Sequence, residues 1–139
     1  MVQVYNSLND DLAEIVRERI IKAEKRVYAC LYILSYPYIT QSLLLAKRNG
    51  CDVRIILSDD PLNVDTISYL EANKIPVKIL RKSKGILHTK ILICDDTALV
   101  GSFNPTYTAS IHNVEIMLEI KEEKTVNNLT LFFLRLWRM

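Results

Sequence analysis

The spacing of apolar residues switches repeatedly between strand-like and helix-like patterns over the first 80 residues. Four short segments rich in Val, Ile, Leu and Tyr predict β-strands: Val2–Tyr5, Arg26–Leu34, Asp52–Leu57 and Ile75–Leu80. Three segments between them repeat apolar residues at helical spacing and predict helices: Leu8–Lys25, Tyr38–Asn49 and Asn63–Asn73. Such alternation is typical of largely parallel strands that are joined by right-handed crossovers, with helices on both faces of the sheet.

Residues that begin and end helices support these boundaries. Asn9 or Ser7 is a suitable N-cap for the first helix, because each can accept a hydrogen bond from a free backbone N–H group. Gly50 closes the second helix, as glycine commonly does. Asp60 caps the third helix, and Pro61 suits its first position because proline lacks an N–H donor.

From Ile86 onward the pattern predicts strands separated by short turns rather than by helices: Ile86–Cys94, Thr97–Val100 and Val114–Ile120. The tail, Lys124–Met139, returns to helical spacing and is expected to pack on the sheet. No repeat, low-complexity segment or linker interrupts the chain. We therefore expect a single α/β domain over residues 1–139.

Composition narrows the function classes only slightly. Lys and Arg total 18 against 16 Asp and Glu, so the net charge of +2 neither demands nor excludes nucleic acid. The three cysteines form no C-x-x-C pair, which indicates neither disulfides nor a zinc site. The longest apolar run, Val27–Leu34, is too short to span a bilayer. These features predict a cytoplasmic protein without a membrane anchor.

The chemically informative part of the chain contains three polar pairs, each with one residue between its members. They are His88 and Lys90, Ser102 and Asn104, and Asn113 and Glu115. Side chains two positions apart on a strand point to the same face, so each pair is expected to act together. The three pairs could therefore line one cavity.

The residue types in this cavity suit a phosphodiester. A neutral His88 ring can attack phosphorus, while Lys90, Ser102 and Asn104 stabilise charge on the phosphate oxygens. Glu115 could hold the other imidazole nitrogen and so select the tautomer. Because positioning and electrostatics can replace a metal ion here, we expect neither a metal nor another cofactor.

The run His88-x-Lys90, Asp95, Gly101-Ser102-x-Asn104 resembles the H-x-K, D, G-S-x-N signature of the phospholipase D superfamily, the HKD motif. A looser similarity covers the segment Ala46–Gly50 before the strand Val53–Leu57, and the final helix with its Phe and Trp residues. The resemblance implies a phospholipase D-like α-β-α sandwich with a mixed, mostly parallel central sheet. It also implies a metal-independent phosphodiesterase that works through a phosphohistidine on His88.

Asp95 is the motif residue whose role differs from the others. It lies seven positions after His88 and should point to the opposite face, where it would accept backbone hydrogen bonds at the turn Asp95–Thr97. Only five residues separate it from Gly101, one fewer than the family usually has. The motif set of candidate catalytic residues is His88, Lys90, Ser102, Asn104, Glu115 and Asp95.

By this resemblance, a second histidine must protonate the leaving oxygen, yet the chain has only one H-x-K motif. The second histidine is either His112 or His88 of another subunit. His112 has no lysine two positions later, so a symmetric homodimer is favoured, as in single-motif members of the family.

Residues outside the motif suggest how a substrate binds. Arg81, Lys82 and Lys84 could follow a phosphate backbone, although charge runs are more often solvated surface. Tyr36 follows a strand end and could stack a base, whereas Tyr32 is assigned to the core.

These observations favour an endonuclease that cleaves DNA or RNA with little sequence preference, because no element is suited to reading base edges. Two alternatives stay open. One is a phospholipase D-type phospholipid hydrolase, and the other is a nucleic-acid-binding module that has lost turnover.

Overall fold

The computed structural model describes residues 1–139 and contains seven strands, five α-helices and one 3₁₀ turn at Pro61–Asn63. The strands are β1 (Val2–Asn6), β2 (Arg26–Leu31), β3 (Asp52–Ser58), β4 (Val77–Leu80), β5 (Lys90–Cys94), β6 (Thr97–Gly101) and β7 (Ile116–Ile120). The helices are α1 (Leu12–Lys22), α2 (Pro37–Arg48), α3 (Val64–Ala72), α4 (Tyr107–Ile111) and α5 (Glu123–Trp137).

All seven strands form one sheet in the order β1-β7-β6-β5-β2-β3-β4. The predicted mixed sheet with helices on both faces is confirmed. Its neighbouring strands, however, are mostly antiparallel, because only the β2–β3 and β3–β4 pairs are parallel and the other four pairs are antiparallel. The hairpin-like second half supplies these antiparallel pairs, and its strand β5 lies directly beside β2.

Strand β1 lies at the far edge of the sheet rather than beside β2. It pairs with β7, with Val4 opposite Leu118. A local apolar pattern predicts that a strand forms but does not specify its partner, which depends on contacts distant in sequence. The first connection, through α1, therefore passes three intervening strands before it reaches β2.

Helix α1 begins later than its apolar pattern predicts. Its N-cap is Asp11, whose side chain accepts a hydrogen bond from the Glu14 N–H group at 3.1 Å. The predicted caps Asn9 and Ser7 are therefore wrong. Asn6 accepts hydrogen bonds from the N–H groups of Leu8 and Asn9, and this turn separates β1 from the helix.

The predicted end of the second helix is confirmed. The predicted start of the third helix is confirmed only in part, because Asp60 and Pro61 begin the 3₁₀ turn Pro61–Asn63, whereas α3 begins at Val64 with Asn63 as its N-cap. Gly50, at a φ of +95°, ends α2 and donates to the Lys47 carbonyl oxygen at 3.0 Å, a conformation that glycine adopts without steric cost. Asp60 caps the turn that leads into α3 and accepts a hydrogen bond from the Leu62 N–H group at 2.8 Å.

Helices cover the two sheet faces unequally. Helices α1, α2 and α3 pack on one face around a cluster that includes Leu92 and Leu99. On the other face α5 packs alone, and its Phe133 ring stacks on Tyr28 at 4.8 Å between centroids. The second half also contains the helix α4, which its sequence pattern did not predict. No helix in the structure is both long enough and apolar enough to cross a bilayer.

A buried ion pair joins α1 to the far edge of the sheet. Glu119 on β7 is only 3% exposed, and its carboxylate accepts hydrogen bonds from the Arg19 guanidinium group and from the Tyr5 hydroxyl group. The hydrogen bond from Arg19, together with its positive charge, lowers the pKa of Glu119 in spite of its burial. This pair holds α1 over β1 and β7.

We expect Arg19→Met to lower the free energy of unfolding by about 3 kcal/mol at pH 7, because it leaves the buried Glu119 carboxylate without a counter-charge. A carboxylate with a lowered pKa stabilises the fold above its ordinary pKa, and this stability is lost as the pH falls through the lowered value. The difference between wild type and variant should therefore shrink in acid. Urea unfolding at pH 7 and at pH 3 measures both effects.

The matched control is Lys22→Met on the same helix, because Lys22 forms an exposed pair with Glu18. Exposed pairs contribute little, so this variant should change stability by about 0.5 kcal/mol or less. Equal losses in the two variants would contradict the role assigned to the buried pair.

Candidate active site

The candidate site lies at the edge of the sheet where β2, β3, β4 and β6 end and where β5 and β7 begin. Lys90, the first residue of β5, pairs with Leu31, the last residue of β2. Gly101, the last residue of β6, pairs with Met117 near the start of β7. Ligands of α/β sheets commonly bind at this edge, because loops that leave several strands converge there.

His88 and Lys90 lie side by side, as their spacing predicts. The Lys90 Nζ atom is 3.1 Å from Nδ1 and 3.0 Å from Nε2 of His88, and it donates to the His88 carbonyl oxygen at 3.0 Å. The His88 ring is exposed to solvent and Lys90 is half-buried. Burial lowers the pKa of Lys90 in spite of the opposing attraction of the Glu115 carboxylate.

The backbone around this pair is anchored to β2 just before β5 begins. The Tyr32 N–H group donates to the Thr89 carbonyl oxygen at 2.9 Å, and the Thr89 hydroxyl group donates to the Cys30 carbonyl oxygen at 3.1 Å. These bonds continue the β2–β5 pairing past its last regular residue. They hold the backbone of the segment that carries His88 and Lys90.

Tyr32, whose apolar surroundings in the sequence predicted a core position, is part of the site. Its ring centroid is 5.0 Å from that of His88, and the Lys90 Nζ atom is 5.6 Å from the Tyr32 centroid. The apolar run predicted a strand through Leu34 and so placed Tyr32 inside it. Strand β2 ends at Leu31, which puts Tyr32 just beyond it, at the edge where ligands of such sheets bind.

Glu115 contacts Ser102 and Asn113 rather than His88. The Ser102 hydroxyl group donates to Oε1 of Glu115 at 2.5 Å, and the Asn113 amide group donates to Oε2 at 3.2 Å. The expectation that Glu115 holds the imidazole within the same chain is therefore wrong. Glu115 immediately precedes β7, and strand β6 separates β7 from β5.

Two further residues position Glu115 and Ser102. Ser7 donates its N–H group to the Glu115 carbonyl oxygen at 3.0 Å and accepts the Glu115 N–H group on its hydroxyl oxygen at 2.8 Å. Gly101 allows β6 and β7 to approach closely, because a Cβ atom there would lie 2.3 Å from the Ile116 carbonyl oxygen. The sequence pattern alone did not reveal either positioning role.

Asn104 presents an amide donor at the same edge. Its Oδ1 atom accepts a hydrogen bond from the Ile33 N–H group at 3.4 Å, and its Nδ2 group forms no hydrogen bond within the chain. The next residue, Pro105, accepts hydrogen bonds from the N–H groups of Ser35 and Tyr36. The loop after β6 is thus tied to the loop after β2, which leaves the Asn104 amide group able to donate to a ligand.

Asp95 lies at the opposite end of β5, away from His88 and Lys90. Its carboxylate accepts hydrogen bonds from the backbone N–H groups of Glu24, Lys25 and Arg26 at 2.8 to 3.1 Å. The donors are therefore in the loop before β2 and at the first residue of β2, and not in the turn Asp95–Thr97. This position removes Asp95 from the candidate catalytic residues.

The short spacing between Asp95 and Gly101 is accommodated in the turn between β5 and β6. Cys94 pairs with Thr97, so only Asp95 and Asp96 form the turn, with Asp95 at a φ of +53°. Aspartate is among the few residues that adopt this left-handed region readily. The register of β5 against β6, with Ile91 opposite Val100, is regular through to the site.

The predicted substrate-binding residues do not lie together, because they line two different grooves and one of them lines neither. Arg81 and Lys82 line a groove together with Tyr32, whereas Lys84 is an exposed residue that does not line it. Tyr36 lines a different groove and packs edge-on against the Tyr107 ring at 5.7 Å. No cluster of three or more His, Cys, Asp or Glu side chains suited to a metal ion occurs in the structure.

A protein-family model described as "Cardiolipin synthase, PLD-like domain" matches residues 16–137. This chain belongs to the phospholipase D superfamily. Within the superfamily it is 34% identical over 112 residues to a protein of Rickettsia conorii named phospholipase D, covering 78% of this chain and 56% of that protein. It is also 32% identical over 129 residues to the minor cardiolipin synthase ClsB of Bacillus subtilis, covering 87% of this chain and 32% of that protein.

A solved structure in the superfamily agrees with the fold. Nuc from Salmonella typhimurium, described as a phospholipase D family member, has a TM-score of 0.90 and 26% identity, covering 99% of this chain and 94% of that chain. In contrast, the chain spans only about half the length of the Rickettsia relative.

We expect Asp95→Asn to lower the free energy of unfolding by about 1 to 2 kcal/mol, because an amide group replaces a charged acceptor of three N–H donors. Although burial opposes it, these donors lower the pKa of Asp95. The contribution is therefore present above the ordinary pKa of aspartate and is lost as the pH falls through the lowered value. Thermal unfolding at pH 7 and pH 3 measures it.

Asp96→Asn, in the same turn, is the matched control, because the Asp96 side chain is 79% exposed. It should leave the unfolding temperature nearly unchanged. An equal effect of the two substitutions would show that the turn, and not the Asp95 carboxylate, supplies the stability.

Proposed function

We propose that this protein is a metal-independent phosphodiesterase that hydrolyses nucleic-acid phosphodiester bonds. The observation that carries the proposal is the pair formed by the exposed His88 ring and the Lys90 ammonium group, 3.0 Å apart at the open edge of the sheet. The free amide group of Asn104 is at the same edge. A nucleophile, a cation and a neutral donor are together sufficient to bind and attack a phosphodiester.

In the proposed reaction a ring nitrogen of His88 attacks phosphorus, and the bond from phosphorus to the leaving oxygen breaks. The leaving oxygen takes a proton from a general acid. Water then attacks phosphorus in the phosphohistidine and gives a proton to the same group, and the bond from phosphorus to the ring nitrogen breaks. This frees the ring and leaves a phosphomonoester on one end of the cut strand. Lys90 and Asn104 stabilise the negative charge on the non-bridging oxygens in both steps.

The general acid in this proposal is His88 of a second subunit. One chain supplies only one H-x-K motif, and a two-fold axis at the site would bring two such motifs to one phosphate. A shared proton and a bound phosphate make the two identical rings inequivalent, so they can take opposite roles in the reaction. The alternative within one chain is His112, the exposed C-cap residue of α4.

The extent of the similarity to Nuc favours nucleic acid over lipid as the substrate. The similarity to Nuc extends over almost the whole of both chains. By the family resemblance, a single H-x-K motif is commoner among nucleases than among lipid enzymes. A phospholipid hydrolase is the second candidate, because relatives in Rickettsia and Bacillus are named phospholipase D and cardiolipin synthase.

We expect the purified protein to cleave labelled DNA or RNA in the presence of EDTA, and His88→Ala to reduce the rate at least about a thousandfold because it removes the nucleophile. Single-stranded and double-stranded substrates and a phosphatidylcholine vesicle are assayed in parallel by product release. His112→Ala is the matched control and should retain activity.

Release of headgroup without nucleic-acid cleavage would replace the proposal with the lipid candidate. Binding of nucleic acid without turnover would indicate an inactive binding module. Activity that survives in His88→Ala would contradict the assignment of the nucleophile.

We expect the active species to be a dimer that uses both His88 rings in one reaction. When wild-type and His88→Ala subunits are mixed in equal amounts and reassembled, activity should fall to about one quarter, since only wild-type pairs have both rings. Independent sites would retain about one half. Sedimentation velocity confirms the assembly state, and an active monomer would contradict the shared site.

A further inference from the structure

A groove of about 170 Å³ adjoins the candidate active site and has no role in the reaction proposed above. Acidic residues Asp59 and Asp60, basic residues Arg81 and Lys82, and the apolar side chains of Leu80 and Ile86 line it. The loops after β3 and β4 supply these residues, at the same edge of the sheet as His88. The groove therefore offers hydrogen-bond acceptors, cations and apolar surface within one space.

Tyr32 forms the boundary between the groove and the site. Its ring is 5.0 Å from the His88 ring, and its hydroxyl group donates to Oδ2 of Asp60 at 3.4 Å. One residue thus contacts the proposed nucleophile and a carboxylate in the groove. A group bound in the groove would lie directly next to a phosphate bound at His88.

The Asp60 carboxylate is held in a defined position. Its Oδ1 atom accepts a hydrogen bond from the Leu62 N–H group at 2.8 Å, as the cap of the following turn, and Oδ2 accepts the Tyr32 hydroxyl group. A carboxylate can accept about four hydrogen bonds, so further acceptor positions remain for a ligand. Asp59, in contrast, is paired with Arg81 at 2.9 Å.

We propose that this groove binds the nucleotide next to the scissile phosphate and that Asp60 accepts a hydrogen bond from an exocyclic amino group of its base. The inference rests on the proposed nuclease function and adds a local base preference to it. Arg81 and Lys82 attract the phosphate of that nucleotide, and Leu80 and Ile86 contact its ring. The preference concerns one position and does not amount to reading a long sequence.

Cytosine and uracil test this chemistry directly because they have nearly the same shape. Cytosine carries an amino donor at position 4, and carboxylates accept hydrogen bonds from that group. Uracil carries a carbonyl acceptor there, which a carboxylate repels. A good hydrogen-bonded pair discriminates against the wrong base by roughly five- to 150-fold, which is about 1 to 3 kcal/mol.

The experiment titrates the wild-type protein with cytidine 5′-monophosphate and with uridine 5′-monophosphate and follows backbone amide signals by NMR. We expect the cytidine nucleotide to bind about tenfold more tightly and to shift the signals of residues 59, 60, 81 and 82. Asp60→Asn should bind both nucleotides equally, because an amide can donate to uracil and accept from cytosine. Asparagine also retains the cap of the following turn.

Asp65→Asn, an exposed substitution in the first turn of α3, is the matched control and should preserve the tenfold preference. Equal binding of the two nucleotides by wild type would overturn the inference. The inference would also be overturned if the NMR signals of His88 and Lys90 shifted and those of the groove residues did not. If Asp65→Asn also lost the preference, the effect would come from the overall charge of the protein. That result would also overturn the inference.

Cleavage of oligonucleotides with C or U beside the cut position separates this inference from the proposed function. Cleavage without a base preference would leave the nuclease function standing and overturn the groove assignment. Preferential binding of the cytidine nucleotide in the groove, without cleavage of any nucleic acid, would support the groove assignment and contradict the nuclease function.

Discussion

The antiparallel pairing of β5 with β2 brings the proposed active-site residues to one edge of the sheet. Because β5 runs opposite to β2, its first residue lies beside the last residue of β2, with Lys90 opposite Leu31. The hydrogen bond from the Tyr32 N–H group to the Thr89 carbonyl oxygen extends that pairing by one step. His88 and Lys90 are thereby placed at the edge of the sheet where the parallel strands end.

Buried polar groups maintain the geometry at this edge. Asn63 is fully buried, and its amide group donates to the carbonyl oxygens of Tyr32 and Ser58, while its Oδ1 atom accepts from the Leu34 N–H group. An unsatisfied polar group in this position would be costly, so the loop after β2 is confined to one path. That path places the Tyr32 ring between His88 and the neighbouring groove.

Residues of a single sequence motif have physically separate roles in this fold. His88 precedes β5 and Lys90 begins it, and both lie at the site. Asp95 follows β5 and accepts hydrogen bonds from the backbone at the start of β2 and just before it. Ser102 and Glu115 form a second polar group across β6 and β7, which Ser7 supports from β1. The motif therefore combines residues that contact the candidate site with a residue that stabilises the sheet at its other end.

The amino-acid pattern was sufficient to predict the type of each strand and helix except α4, the C-terminal end of α2, the turn that leads into α3, and the pairing of His88 with Lys90. These depend on local rules, such as glycine at a positive φ and side-chain alternation two residues apart, which act within a few residues. Tertiary structure decided that β1 pairs with β7, that Glu115 contacts Ser102 instead of His88, and that Tyr32 rather than Tyr36 lies beside the imidazole. Those outcomes depend on which strands become neighbours, and the free energy of strand pairing comes from contacts between residues far apart in the chain.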